Sequence, residues 1–240
     1  MYKKKYIAVI IPCYKVDLKT TIKIIKKIPI FVDIIYLVDD ACPFYTGKKI
    51  NSKKFNKVKV LFNNKNVGVG GSIIRVYKKL QNKKCFIIKI DGDGQMNPKY
   101  IKQILNNMIS KNLDYMKGNR FKDYKNLIKQ MPIIRIIGNF ILSYLSILSS
   151  GYSKIFDCTN GYTCIKNKIL KKISLNKIHK RFFFETDILF HLSINNAKIQ
   201  DFYMPAQYGD EESNLNLVKI IPEFLYLLLK NFILRILKPN

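Results

Sequence analysis

Two carboxylates separated by one glycine, Asp91-Gly92-Asp93, followed by Gly94 and Gln95, form the segment of this 240-residue chain best suited to chemistry. Carboxylates at i and i+2 on a turn can converge on one hard cation, and the glycines permit the tight turn this requires. Mg2+ or Mn2+ held there would bridge two phosphates and neutralise a leaving diphosphate. A solvated Asp/Gly turn is the plainer reading of the same residues. An EF-hand loop is disfavoured, because its last ligand, a Glu, would fall near Gln103-Ile104, where none stands. Asp39-Asp40 is a second acidic pair. Adjacent side chains diverge, so accepting a hydrogen bond from a base or ribose suits one of them better than shared chelation; a turn or helix cap is the alternative. The loop Asn66-Val67-Gly68-Val69-Gly70-Gly71-Ser72 leads into a helical stretch, where backbone N–H groups could face phosphate. It lacks the Gly-Lys-Ser/Thr of a P-loop, and strand-to-helix packing explains it equally well.

The elements that must position these residues follow from the apolar pattern. A short continuous apolar run at 6–11 reads as a strand buried on both faces, and 32–38, 58–62 and 86–90 read as further strands. Helical spacing lies between them, at 18–28 and 72–81, and a further helix opens at Pro98; residues 113–117 return as a strand before Gly118-Asn119-Arg120. Strand and helix therefore alternate, which predicts an open, mostly parallel α/β sheet. Ligands of such sheets bind beyond the carboxyl ends of the strands, and both acidic pairs sit at such ends. That combination describes a site for a phosphorylated ligand and its metal.

The second half reads differently. Residues 131–150 carry a long apolar helix signal interrupted by Arg135 and Gly138-Asn139, 182–194 another helix, and 199–204 a late strand. The tail from Leu217 to Leu237 is apolar but broken by Lys219, Pro222, Glu223, Lys230 and Arg235. No stretch has the ~20 uninterrupted apolar residues of a spanning helix. The expectation is a catalytic domain over 1–216 and an amphipathic tail over 217–240 that lies at a membrane surface, its cations facing anionic headgroups. A helix packed on the core is the competing reading of the tail. Forty-three Lys+Arg against 16 Asp+Glu give a net charge of +27, which favours polyanionic partners. The lysines are spread along the chain, however, so compositional drift accounts for the excess as well. Five cysteines without a CxxC pair read as buried thiols of a reducing compartment, and two histidines make a His-rich metal site unsuited. The basic, apolar N-terminus has too short an apolar run for a signal peptide and reads as the first strand.

Taken together, IIPCY (10–14), VDDA (38–41), NxGxGG (66–71), DGDGQ (91–95) and GNR (118–120) resemble the family 2 glycosyltransferases. The nearest branch is that of the dolichyl- or polyprenyl-phosphate sugar transferases and bacterial polysaccharide-assembly relatives. DCTNGYT (157–163), RFFFETD (181–187) and YGDEESNL (208–215) resemble that branch's downstream motifs. The resemblance implies a GT-A fold, a Rossmann-like, mostly parallel central sheet flanked by helices. It implies that Pro12 and Tyr14 form the nucleotide pocket, that Asp40 with Asp39 contacts the nucleoside, and that the Gly68 loop lies against the donor. Asp91 and Asp93 would be the DxD pair, with Gln95 an extra ligand to Mg2+ or Mn2+. Arg120 would bind a phosphate of donor or acceptor, and Arg135 the acceptor's phosphate. VDDAC stands in place of VDDGS, and Tyr208-Gly-Asp in place of a tyrosine-arginine pairing, which leaves the acceptor open.

Two mechanisms remain at this point. A sugar hydroxyl would need a general base, for which Glu185 or Asp187 is the candidate. A lipid phosphate arrives ionised and needs none. Either attack would be a single in-line displacement with inversion, aided by positioning and charge stabilisation. The expected enzyme thus moves a sugar from a UDP- or GDP-sugar to a polyprenyl-phosphate or lipid-linked glycan, in cell-surface polysaccharide or glycoconjugate assembly. It would work peripherally on the cytoplasmic face of a membrane, without nucleic acid. The alternative, a basic membrane- or nucleic-acid-binding module with structural acidic loops, gives no reason for aspartates at successive strand ends.

Overall fold

The computed structural model describes residues 2–122, 124–205 and 217–237. The motif at 208–215, with its Tyr208-Gly-Asp segment, and the division between 216 and 217 lie outside them. In chain order the elements are β1 (Tyr6–Cys13), α1 (Leu18–Lys27), β2 (Ile34–Asp39), α2 (Thr46–Ser52), β3 (Val58–Phe62), α3 (Val69–Leu80) and β4 (Cys85–Lys89). A 3-10 turn at Pro98–Tyr100 then leads into α4 (Ile101–Ser110), β5 (Tyr115–Asn119), α5 (Tyr124–Gln130) and α6 (Ile133–Ser150). Next come β6 (Thr163–Lys166), α7 (Asn167–Leu170), α8 (Phe184–Ser193), β7 (Ile199–Tyr203) and α9 (Leu217–Leu237).

The strands form one sheet in the order β3-β2-β1-β4-β6-β5-β7. The pairings of β6 with β4 and β5 are antiparallel and the others are parallel. Successive side chains of a strand point to opposite faces, and both faces are covered. Ile7, Val9 and Ile11 of β1 pack toward α1 and α4, while Ala8 and Ile10 pack toward α3 and α8. All five are fully buried, which is why β1 reads as a continuous apolar run. Asp17 starts α1 by accepting from the N–H groups of Lys19 and Thr20. The acidic pairs stand at the carboxyl ends of β2 and just past β4, on either side of the carboxyl end of β1.

Three features differ from the sequence expectation. The antiparallel strand β6 and the short helices α2 and α7 were not foreseen. The apolar stretch from 131 is divided at Pro132, which precedes α6 and terminates α5's run. Most consequential, α6 is inside out. Ile134, Ile137, Phe140, Ile141 and Tyr144 face outward, while Ser143, Ser146, Ser149 and Ser150 are buried. By length and composition α6 could cross a membrane, and most of it is unburied.

The tail helix α9 rests on α6 and α8, with Leu228 buried and Phe224 against Phe183 beside its polar contacts. Asn231, itself buried, donates to Asp187 of α8 at 2.7 Å. Arg235 donates through Nε to the Ser149 carbonyl at 3.0 Å and through Nη2 to Leu148 at 2.9 Å. These are the last carbonyls of α6, which no intrahelical partner satisfies and toward which a cation is drawn. Leu225, Tyr226, Leu229 and Ile233 of α9 continue the exposed apolar surface. On the other face of the sheet, the core under α1 and α4 sets a measurable scale. Ile88, in β4 and fully buried, should cost about 2–5 kcal/mol when replaced by Ala, read as a lowered midpoint of urea unfolding.

Candidate active site

The two carboxylates at the end of β2 act on the protein's own backbone. Asp39 accepts from Cys42 N at 2.8 Å and Gly47 N at 2.9 Å, closing the loop into α2. Asp40 accepts from Val67 N and Gly68 N, both at 2.9 Å, and from Asn63 Nδ2 at 2.7 Å. Both aspartates are buried. Both carboxylates thus fix the loops that follow β2 and β3, and Tyr14, 44% exposed, stands just past the carboxyl end of β1.

The glycine loop is likewise explained by packing. Gly68 has φ +86°, and a Cβ there would lie 2.5 Å from the Lys180 carbonyl oxygen; at Gly70 it would lie 2.6 Å from that of His179. Gly68 gives its N–H to Asp40, and Gly71 gives its own to the Lys180 carbonyl at 2.8 Å. Gly68 and Gly70 thus admit a close approach of the segment around His179 and Lys180. Only glycine tolerates both the backbone conformation and the contact.

Past β4, the chain turns through Gly94 at φ +87°, and Asp93 accepts from Gln95 N at 3.0 Å. Asp91 and Asp93 are half-exposed, and with Gln95 they offer hard oxygen donors of the kind Mg2+ and Mn2+ prefer. Among the described residues no group of three His, Cys, Asp or Glu gathers. A cation at this loop would thus rely on two carboxylates and complete its shell with ligand oxygens, as Mg2+ commonly does.

Behind Asp91 lies a network that the sequence reading missed. Lys89 and Lys117 each stand opposite Thr163 across neighbouring strands, so the three share one face of the sheet. Lys89 Nζ is 2.8 Å from Asp91 Oδ1 and 2.5 Å from Glu185 Oε1; Lys117 Nζ is 3.1 Å from Glu185 Oε2. Burial alone would lower the Lys89 pKa, but Asp91 and Glu185 outweigh it and hold Lys89 above the usual lysine range. Burial likewise raises Glu185, and the two lysines outweigh that and keep it below the usual carboxylate range. A lysine inside each of the strand segments FIIKI and YMKGN was the available signal, since a cation in a sheet covered on both faces requires a counter-ion.

The remaining candidates are also engaged. Arg120 donates through Nε to Asp157 Oδ2 at 2.7 Å and through Nη2 to Asp157 Oδ1 at 2.8 Å. It also donates to Thr159 Oγ1 at 3.2 Å. Thr159 donates to Asn139 of α6 at 3.4 Å, and Arg135 precedes Asn139 by four residues, one turn away on the same face. Arg120 and Arg135 are thus linked through one helix face, with Arg135 exposed. Glu185 and Asp187 both lie in the first turn of α8 and diverge, as residues two apart on a helix must. Asp187 accepts from His179 N at 2.7 Å and from Asn231.

The family model for glycosyl transferase family 2 matches residues 8–174. The chain belongs to glycosyl transferase family 2. An uncharacterized protein of Methanocaldococcus jannaschii is 32% identical to this glycosyltransferase over 213 residues, 84% of this chain and 88% of that one. The UDP-N-acetylglucosamine–dolichyl-phosphate N-acetylglucosaminyltransferase of Methanococcus voltae is 32% identical over 127 residues, 52% of this chain and 50% of that one. A second M. jannaschii protein is 34% identical over 44% of its length, so this glycosyltransferase spans about half of each of these latter two relatives. The glucosyl-3-phosphoglycerate synthase of Mycobacterium tuberculosis, solved with Mn2+, UDP and glucosyl-3-phosphoglycerate, has a TM-score of 0.70 at 12% identity. That likeness covers 99% of this chain and 82% of that one. At such identity it shows the fold, which is GT-A.

The Arg120–Asp157 pair yields a stability prediction for this glycosyltransferase. Burial raises the Asp157 pKa, but Arg120 outweighs burial and sets it below the usual value. Its stabilisation is therefore present above the unfolded aspartate pKa, about 3.9, and is lost as pH falls through the lower folded value. Asp157→Asn should cost about 3–5 kcal/mol near neutrality by leaving Arg120 unpaired. It should also flatten the acid limb of a pH series of urea melts relative to the parent.

Proposed function

We propose that this glycosyltransferase transfers a sugar, with inversion, from a UDP- or GDP-sugar to a polyprenyl phosphate in cell-surface polysaccharide or glycoconjugate assembly. One observation carries the choice of acceptor. Both oxygens of Glu185 are held by lysine ammonium groups, and both oxygens of Asp187 accept hydrogen bonds. Neither carboxylate is placed to take a proton from an attacking hydroxyl. An acceptor phosphate is ionised on arrival and needs no such base. The dolichyl-phosphate named for the M. voltae relative supports the same class. A lipid-linked glycan, whose hydroxyl would require a base, is the reading this geometry disfavours.

In this reading the nucleoside lies between Pro12–Tyr14 and the loops fixed by Asp39 and Asp40, which shape its pocket. Asp93, Asp91 and Gln95 hold Mg2+ or Mn2+, which when bound offsets the charge of the departing diphosphate; the Mn2+ of the structural neighbour supports this. Arg120, aimed by Asp157, orients a phosphate at the end of β5. Arg135 receives the acceptor phosphate at the start of the apolar face of α6. Acceleration comes from alignment of two bound anionic partners and from fixed positive charge.

Donor and acceptor are tested together by incubating the protein, Mn2+ and a UDP- and GDP-sugar panel with undecaprenyl phosphate. The expected result is a glycosyl-phosphate lipid from one donor. Arg135→Ala should raise KM for the lipid phosphate about tenfold or more, the scale of one lost charge-assisted bond, with donor KM unchanged. Transfer only to dephosphorylated glycan, or no Mn2+-dependent thermal shift with either UDP or GDP, would overturn the assignment.

The lipid acceptor requires a membrane surface, and the outward apolar residues of α6 and α9 supply a fitting one. Apolar patches of this kind on a protein surface mark interaction sites, and small buried residues such as the serines of α6 are typical where helices pack within lipid. The net charge of +27 complements anionic headgroups, and the five free, buried cysteines suit the cytoplasmic face. Vesicles containing phosphatidylglycerol should therefore sediment the protein, and Ile137→Asp with Phe140→Asp should abolish this without altering the circular dichroism spectrum. Equal sedimentation of the double variant would refute the surface.

A further inference from the structure

Asp91 is approached from two sides by residues to which nothing above gives a part in binding. From below, Lys89 is tied at once to Asp91 Oδ1, at 2.8 Å, and to Glu185 Oε1, at 2.5 Å. Lys89 is 2% exposed, so its ammonium has no solvent to turn to in place of these two partners. From the side, Gly161 is buried just before β6, and a Cβ built there would collide with both Lys89 Nζ and Asp91 Oδ2. No turn conformation demands glycine at 161, since its φ is not among the positive ones. The demand comes from the space that Asp91 and Lys89 occupy.

We propose that Lys89 and Gly161 are positioning residues for Asp91. Lys89 anchors one carboxylate oxygen and Gly161 leaves room for the other, so that Asp91 meets a divalent cation already aligned. Glu185 belongs to the same assembly: it fixes Lys89 and, through Lys117, joins α8 and β5 to the Asp91 loop. The inference rests on the donor-site reading above and concerns how that site is held.

Two physical accounts of Lys89 predict opposite signs. If its ammonium acted only as a nearby positive charge, it would repel a cation, and its removal would tighten binding. If it acts by holding the carboxylate, removal weakens binding, as loss of groups supporting metal ligands does, by about 10–100-fold. The test is Mn2+ titration of the full chain with UDP, followed by the free-Mn2+ electron paramagnetic resonance signal, for the parent, Lys89→Met, Lys89→Arg and Gly161→Ala. Circular dichroism and the metal-free melting temperature report folding separately. Lys89→Met and Gly161→Ala should each weaken Mn2+ binding by about tenfold or more, and Lys89→Arg, which keeps a cationic donor, should recover part of the loss. Should Gly161→Ala not fold, the two Lys89 variants decide between the accounts. Unchanged or tighter Mn2+ binding in folded Lys89→Met overturns the proposal. Absence of Mn2+ binding by the parent chain overturns the donor-site reading instead.

Discussion

Charge buried in a sheet has to be compensated on the spot, because water is not there to do it. In this chain the requirement falls on Lys89 and Lys117, two cations within strands whose neighbours are apolar on both faces. Glu185 and Asp91 answer them, so that two positive and two negative groups close a neutral cluster. The cluster ties the first turn of α8 to β4 and β5, the strands that carry the two lysines. One local constraint therefore bears on where α8 sits against the sheet.

The donor side was largely legible in the sequence. A run such as YIAVII is long enough, and apolar enough, to declare a strand covered on both faces, and the aspartates following 32–38 and 86–90 marked the rim of the sheet. β3 was read with its observed limits, and β1, β2 and β4 within two residues. β6 was missed because its four residues carry no periodicity of their own and depend on strands far away in the sequence. Side-chain roles were less legible than elements. Asp39 and Asp40 carried a real signal, but sequence cannot tell an aspartate that touches a ligand from one that ties down a loop. Gly68 and Gly70 posed the same ambiguity, which the nearby carbonyls of 179 and 180 resolve.

The polarity of α6 could not be read from its own segment. A stretch rich in isoleucine, leucine and serine states only that one face is apolar and another is small and polar. Which face turns inward depends on what waits to receive it, here Cys158, which lies 3.7 Å from Ser143 Oγ, together with α9. Arg235 then closes the end of α6 from α9. The helix pair is joined to the catalytic body by the polar contacts of Asn231 and of Asn139, so its outward surface communicates with α8 on one side and with Arg120 on the other.

The strand order carries a consequence for synthesis. β1 through β4 are neighbours of one another and are complete once residue 89 has been made, so that half of the sheet can assemble while the chain is still growing. β5 is made next, yet its partners among the described residues, β6 and β7, both come later. Until residues 163–166 arrive, β4 presents an open edge to solvent and β5 has nowhere to dock; such edges are prone to unwanted pairing. Loop closure over these separations makes the step slow compared with local contacts. The order of synthesis thus leaves the β5 side of the sheet dependent on a four-residue strand made after it, while the β1–β4 side needs nothing further for its own pairing.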